Sequence, residues 1–195
     1  MSHHSGTYAS ATTGGHVVYE SRLEPARLLL ADFDPEVRGF SLSRAALRLG
    51  AMTGCSTMSR TFCCSHTRVA RVVNVKPAQR LQDPKIAEAL AWPGELVRGH
   101  GREYEIWSGA DRVVLENVRF LAAYRRPGVV PENEVERAWQ HVVDGEELGL
   151  VERRLAGDRP RETARPPLLA LLWSGRLTID LLRPLSGESV LRRNA

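Results

Sequence analysis

The stretch Val72-Val73-Asn74-Val75-Lys76-Pro77 constrains the fold more than any other part of the chain. Val73 and Val75 alternate with Asn74 and Lys76, the period of a strand that turns an apolar face to a core and a polar face the other way. Lys76 then points where Asn74 points, and Pro77 closes the ladder because it has no N–H to give. Read alone, this is an edge strand ending in a solvated lysine. One strand cannot stand by itself, so its neighbours must supply both pairing partners and apolar cover.

Those neighbours follow in order. Asp83-Pro84 reads as an N-cap with proline at the first helical position, opening a helix towards His100 with a kink or break at Pro93. Glu103–Trp107 alternates, with Tyr104 and Ile106 on one side, and reads as a second core strand. Asp111 caps a helix through Tyr124 that carries Val114, Leu115, Val118 and Leu121. Strand, helix, strand, helix predicts a small α/β domain in which 69–75 and 103–107 are parallel neighbours joined by a crossover helix.

Upstream, residues 1–15 are rich in Ser, Thr, Gly and His and are expected to form a disordered tail, His3 and His4 included. His16–Tyr19 starts a short strand. Glu20–Ala31 reads as a helix with a capping box, Ser21 followed three residues later by Glu24, and Asp32-Phe33-Asp34-Pro35 ends it. Val37–Phe40 begins another strand, after which neither helical nor strand periodicity is sustained from Ser41 to Val69. Beyond a linker at 125–131, residues 133–143, 146–156 and 167–173 are helix-length and 176–182 is strand-like. The 132–195 segment therefore reads as a helical C-terminal module, with a winged-helix-like arrangement and a docking appendage as the alternatives.

Charge and cysteine usage concentrate in the aperiodic stretch. The chain carries a formal net charge of +4, yet five arginines (Arg44, Arg48, Arg60, Arg68, Arg71) and no acid fall between Ser41 and Arg71. Without them the chain has no positive excess, and from Arg125 onward basic and acidic residues nearly balance, so the C-terminal module has no basic footprint for phosphates. Cys55, Cys63, Cys64 and His66 lack the paired CxxC spacing of a zinc knuckle. There is no apolar run of about 18 residues and no hydrophobic leader, which predicts a cytoplasmic protein without a membrane span.

Val18-Tyr19-Glu20-Ser21-Arg22-Leu23-Glu24, Asp32-Phe33-Asp34-Pro35, Val73-Asn74-Val75-Lys76-Pro77-Ala78, Leu81-Gln82-Asp83 and Glu105-Ile106-Trp107 together resemble TnsA-like endonuclease subunits of heteromeric transposases. The resemblance runs from about His16 to the C-terminus, interrupted by the aperiodic stretch. It implies an α/β restriction-endonuclease-like core over 16–124, anomalous at 41–71, with Mg²⁺ as cofactor. It further implies cleavage of one DNA strand at transposon ends, beside an integrase-like transposase subunit and an ATPase regulator. By the same resemblance Glu24 matches the family's helix glutamate and metal ligand, Asn74 stands at its glutamine, and Lys76 matches its lysine. Glu20 is a weaker candidate for the glutamate, and Glu24 has a plainer reading as the capping acid.

One family element is missing. The metal-binding aspartate belongs between Phe40 and Val72, where the chain has no Asp or Glu. Cys55–Ser65 can be encoded so that the frame starting at the third base of the Cys55 codon reads Leu-Asp-His-Val-Pro-Asp-Phe-Leu-Leu-Leu, a Pro-Asp before an apolar strand. Arg44–Leu47 read one base later can give Ala-Gln-Pro-Phe. Compensating frameshifts across 41–71 are therefore expected, in a gene whose 25 arginines against two lysines point to high GC content. Such a chain is expected to be a catalytically impaired endonuclease subunit. The rivals are a non-catalytic adaptor that docks transposase partners and a pseudogene product that folds poorly.

Overall fold

The computed structural model describes residues 5–43, 61–66 and 70–194. The chain is mixed α/β and divides into two compact units between Gly109 and Ala110. That boundary assigns the helix after Asp111 to the second unit, where the sequence reading had attached it to the first.

The first unit opens with an antiparallel hairpin, β1 (Gly6–Ala9) and β2 (His16–Tyr19), pairing Gly6 with Tyr19 and Ala9 with His16. This corrects the expectation of a disordered tail for residues 5–15; residues 1–4, with His3 and His4, lie outside the described residues. What orders the segment is a distant partner: Asp32, at the end of α1 (Glu24–Phe33), is buried and gathers the hairpin turn around its carboxylate. Its Oδ2 accepts from the Tyr8 hydroxyl and the Ala11 N–H, and its Oδ1 from the Ser10 hydroxyl and the Thr12 N–H, all at 2.8–2.9 Å.

The main sheet has the order β3-β4-β5-β6, formed by Val37–Ser43, Thr61–His66, Ala70–Val75 and Glu103–Trp107. β3, β4 and β5 run antiparallel in turn, and β6 is parallel to β5, as the crossover argument requires. The crossover consists of a single turn, α2 (Ala78–Leu81), and α3 (Pro84–Gly99), whose N-cap Asp83 accepts from the Lys85 N–H at 3.0 Å. α3 continues through Pro93 rather than breaking there. It buries a stripe at Leu90, Gly94 and Val97. Gly94 permits close approach to β6, since a Cβ there would lie 2.9 Å from the Tyr104 ring.

On one face of the sheet α1 packs Leu28 and Ala31 against Val17, Val37, Phe40, Cys64 and Val73, with Val75 and Trp107 at the margin. Val73 and Val75 thus face α1 as their alternation predicts. The same face carries a charged network between α1, β5 and β6. Arg71 holds Glu103 at 2.7 Å and Glu105 at 3.6 Å, while Arg27 of α1 reaches Glu105 at 3.5 Å.

The second unit begins with α4 (Arg112–Leu121), whose cap Asp111 accepts from the Val113 and Val114 N–H groups. It continues with α5 (Glu132–His141), α6 (Leu148–Ala156) and α7 (Arg165–Trp173), and ends in a two-residue antiparallel pair, β7 (Leu177–Thr178) and β8 (Arg192–Arg193). The strand expected over 176–182 is therefore much shorter, and Glu147 makes an isolated bridge to Val190. α7 is apolar on nearly every side and buries Pro167, Leu168, Leu169, Leu171, Leu172 and Trp173. It forms the middle of the unit, as expected for a helix without a polar face. Seven α-helices are present among the described residues, and no helix there is long and apolar enough to cross a membrane.

Candidate functional site

The N-terminus of α1 is built by its own side chains. The Ser21 hydroxyl accepts from the Glu24 N–H at 3.3 Å, and Glu24 Oε2 accepts from the Glu20 N–H at 2.9 Å; the carboxylate passes over Ser21 and the helix begins after Leu23, so the expected capping box over Ser21 and Glu24 is not formed. Glu24 thus ties the turn before α1 to the helix start. Glu20 contributes to this arrangement through its backbone N–H.

Lys76 leaves the C-terminal end of β5, where its N–H donates to the Trp107 carbonyl at 2.9 Å. Its side chain is half-buried. Burial pushes its ammonium below the ordinary lysine range, the nearby Arg80 pushes the same way, and Glu24 opposes both. The helix start and the strand exit therefore meet electrostatically, which brings together two of the three residues singled out in the sequence.

Asn74 is also located, but its setting differs from expectation. It is 6% exposed, because α3 covers the face opposite the valines. The neighbouring Tyr104 phenol is pushed up by burial, opposed by the Asn74 amide and the Arg98 guanidinium. The Tyr104 hydroxyl is itself buried, and its approach to Asn74 falls short of a good hydrogen bond. Asn74 consequently behaves as an interior amide beside a phenol, and the alternation alone does not make that face wet.

The β4–β5 register sets Thr61 directly opposite Asn74. In the shifted reading the aspartate after proline spans the codons of Arg60 and Thr61, so the residue at this register position stands where that carboxylate would enter the sheet. Most of the aperiodic 41–71 stretch, 44–60 and 67–69, and with it Cys55 of the zinc spacing, lies outside the described residues. Cys64 is a buried free thiol.

Mg²⁺ does not fit the residues present. Hard divalent cations select several oxygen ligands, chiefly carboxylates. Here one carboxylate, Glu24, already accepts a backbone hydrogen bond, and its companions are a buried amide and an ammonium. Among the described residues no group of three His, Cys, Asp or Glu is gathered to hold a metal. What the arrangement retains is the pair of cations, Lys76 and Arg80, beside a helix N-terminus.

Sequence reasoning missed Arg80 and Tyr104 as neighbours of this site. Arg80 falls four residues after Lys76, across the proline that ends the strand, so neither helical nor strand spacing relates them. Tyr104 was legible as a core residue by alternation, but its pairing with Asn74 depends on the parallel register. No protein-family model matches the chain, and comparison with curated proteins gives no match.

Proposed function

We propose that this chain is a TnsA-like endonuclease subunit of a heteromeric DNA transposase whose cutting chemistry is impaired by the absence of its central carboxylate. The observation that carries the reading is the juxtaposition of Glu24 and Lys76 at the C-terminal end of β5, with position 61 across from Asn74. The element order helix, three antiparallel strands, helix, parallel strand supports a restriction-endonuclease-like core, though by analogy of fold. Over residues 132–194, three α-helices followed by an antiparallel pair, with the Glu147–Val190 bridge, support a winged-helix-like topology. The helix that would read DNA in such a module is α7, and six of its nine residues are buried, which favours a docking role.

In this reading Lys76 and Arg80 supply positive charge to a DNA phosphate, and Glu24 orients Lys76. Mg²⁺ would supply water activation and charge neutralisation in an intact relative. This chain lacks the ligands for it, so cleavage by the chain as it stands is not expected.

The test is a nicking assay on transposon-end DNA with Mg²⁺, with the integrase-like partner present. It compares the chain as it stands, Thr61→Asp, and a version carrying the in-frame residues across 41–71. Single-strand cleavage by either altered chain, abolished by Lys76→Ala, supports the reading. No cleavage by either, from folded protein, leaves the adaptor reading, which the exposed apolar residues Leu182 and Val143 of the second unit also favour.

A further inference from the structure

β6 closes the main sheet, and among the described residues no strand pairs with its outer edge. The parallel register decides which backbone groups face out. Because the Lys76 N–H donates to the Trp107 carbonyl, Glu103, Glu105 and Trp107 direct their N–H and C=O groups to β5. Those of Tyr104 and Ile106 point the other way. An edge of this kind is a template for a further strand.

The same edge borders a cavity of about 440 Å³ lined by Arg71, Arg98, Arg102, Glu103, Tyr104 and Glu105. Arg71 is committed to the two glutamates. Arg98 lies 5.7 Å from the centroid of the Tyr104 ring, and among the described residues neither Arg98 nor Arg102 has a carboxylate partner. Ile106, on the Tyr104 face, is 41% exposed.

We propose that the β6 edge binds an extended acidic segment of a partner protein by strand addition. The segment's main chain pairs with Tyr104 and Ile106, its carboxylates meet Arg98 and Arg102 on the face that carries the Tyr104 ring, and its alternate apolar side chains turn to the other face. The partly exposed Glu103 and Glu105 argue for a peptide over a nucleic acid, since a phosphate backbone laid here would meet two carboxylates beside two uncommitted guanidinium groups. A peptide also supplies the alternating donors and acceptors that the edge lacks. The proposal stands whether or not the chain cuts DNA.

The full chain is titrated with a blocked peptide of alternating aspartate and valine, and separately with a short DNA duplex, by calorimetry and amide exchange. The peptide is expected to bind, to slow exchange of the Tyr104 and Ile106 amides, and to bind at least about tenfold more weakly to R98E/R102E. Ile106→Pro, which removes an outward N–H and leaves the ladder to β5 intact, should abolish binding without lowering the melting temperature. If Ile106→Pro destabilises the sheet, the charge-reversal variant carries the test alone. Absence of peptide binding overturns the proposal, as does binding indifferent to R98E/R102E, or duplex binding that R98E/R102E abolishes and the peptide does not compete.

Discussion

The Tyr8 hydroxyl donates to Asp32 Oδ2 at 2.9 Å, joining the first strand of the chain to the last turn of its first helix. Each Asp32 oxygen also accepts one backbone N–H, from Ala11 or Thr12. Whichever way an amide were turned in Asp32→Asn, its NH₂ would face an N–H donor, so the variant is expected to lose about 2 kcal/mol. Urea unfolding measures this. A Tyr8→Phe variant, which removes one bond and leaves the backbone donors satisfied, should lose less.

The same carboxylate predicts a pH dependence. Burial pushes Asp32 up, but the hydrogen bonds from Ala11, Thr12 and Ser10 outweigh it, and its pKa lies below the ordinary aspartate value. A depressed folded pKa means the unfolded chain binds the proton more readily. The contribution is therefore complete above the unfolded value of about 3.9 and is lost as pH falls from there through the folded value. Acid unfolding curves of the parent and Asp32→Asn should converge at the acid end of that window; parallel curves throughout would refute the assignment.

In the second unit Asn117 acts as a three-way clamp. Its amide donates to the Leu181 and Arg183 carbonyls at 3.0 and 2.7 Å, and its oxygen accepts from the Leu185 N–H at 3.1 Å. Asn117→Leu should cost about 2–3 kcal/mol and speed exchange of the Leu185 amide. Asn117→Asp should be no better, because a carboxylate would face two carbonyl oxygens.

Glu152 is buried and pairs in fork geometry with Arg165, at 2.5 and 3.2 Å. Arg165→Ala leaves the carboxylate unpaired. The arginine side chain is 47% exposed, which lets water reach the pair, so a loss of about 2 kcal/mol is expected rather than the larger penalty of a fully buried pair. Adding Glu152→Leu to Arg165→Ala should recover much of it in thermal unfolding.

Burial and the nearby Arg80 lower the pKa of Lys76, against the pull of Glu24. Acetylation of Lys76 read by mass spectrometry across pH should show it titrating below the ordinary lysine value. Arg80→Gln should move its midpoint up and Glu24→Gln should move it down. A Lys76 midpoint that neither substitution moves would count against the proximity of Glu24, Lys76 and Arg80.

Local chemistry was the legible part of the sequence. Asp83 and Asp111 cap the helices they were expected to cap, and the alternation of 72–76 orients Val73 and Val75 towards α1. What escaped was set by partners far away in the chain. The N-terminal hairpin has little apolar content and is ordered by an aspartate more than twenty residues on. β4 follows no period in Thr61–His66, yet it is paired on both sides. Asn74 was legible by type and by face, but its burial depends on α3 approaching β6 through Gly94.

Cys64 lies on that unpatterned strand, fully buried and bonded into the ladder between β3 and β5. Fraying at a sheet edge does not uncover it; α1 has to lift off the face it covers, or β4 has to leave its neighbours. A thiol-reactive reagent applied to the native chain therefore meets Cys64 only during such openings, and its modification rate clocks them. The strand least readable in the sequence gives the sheet its own stopwatch.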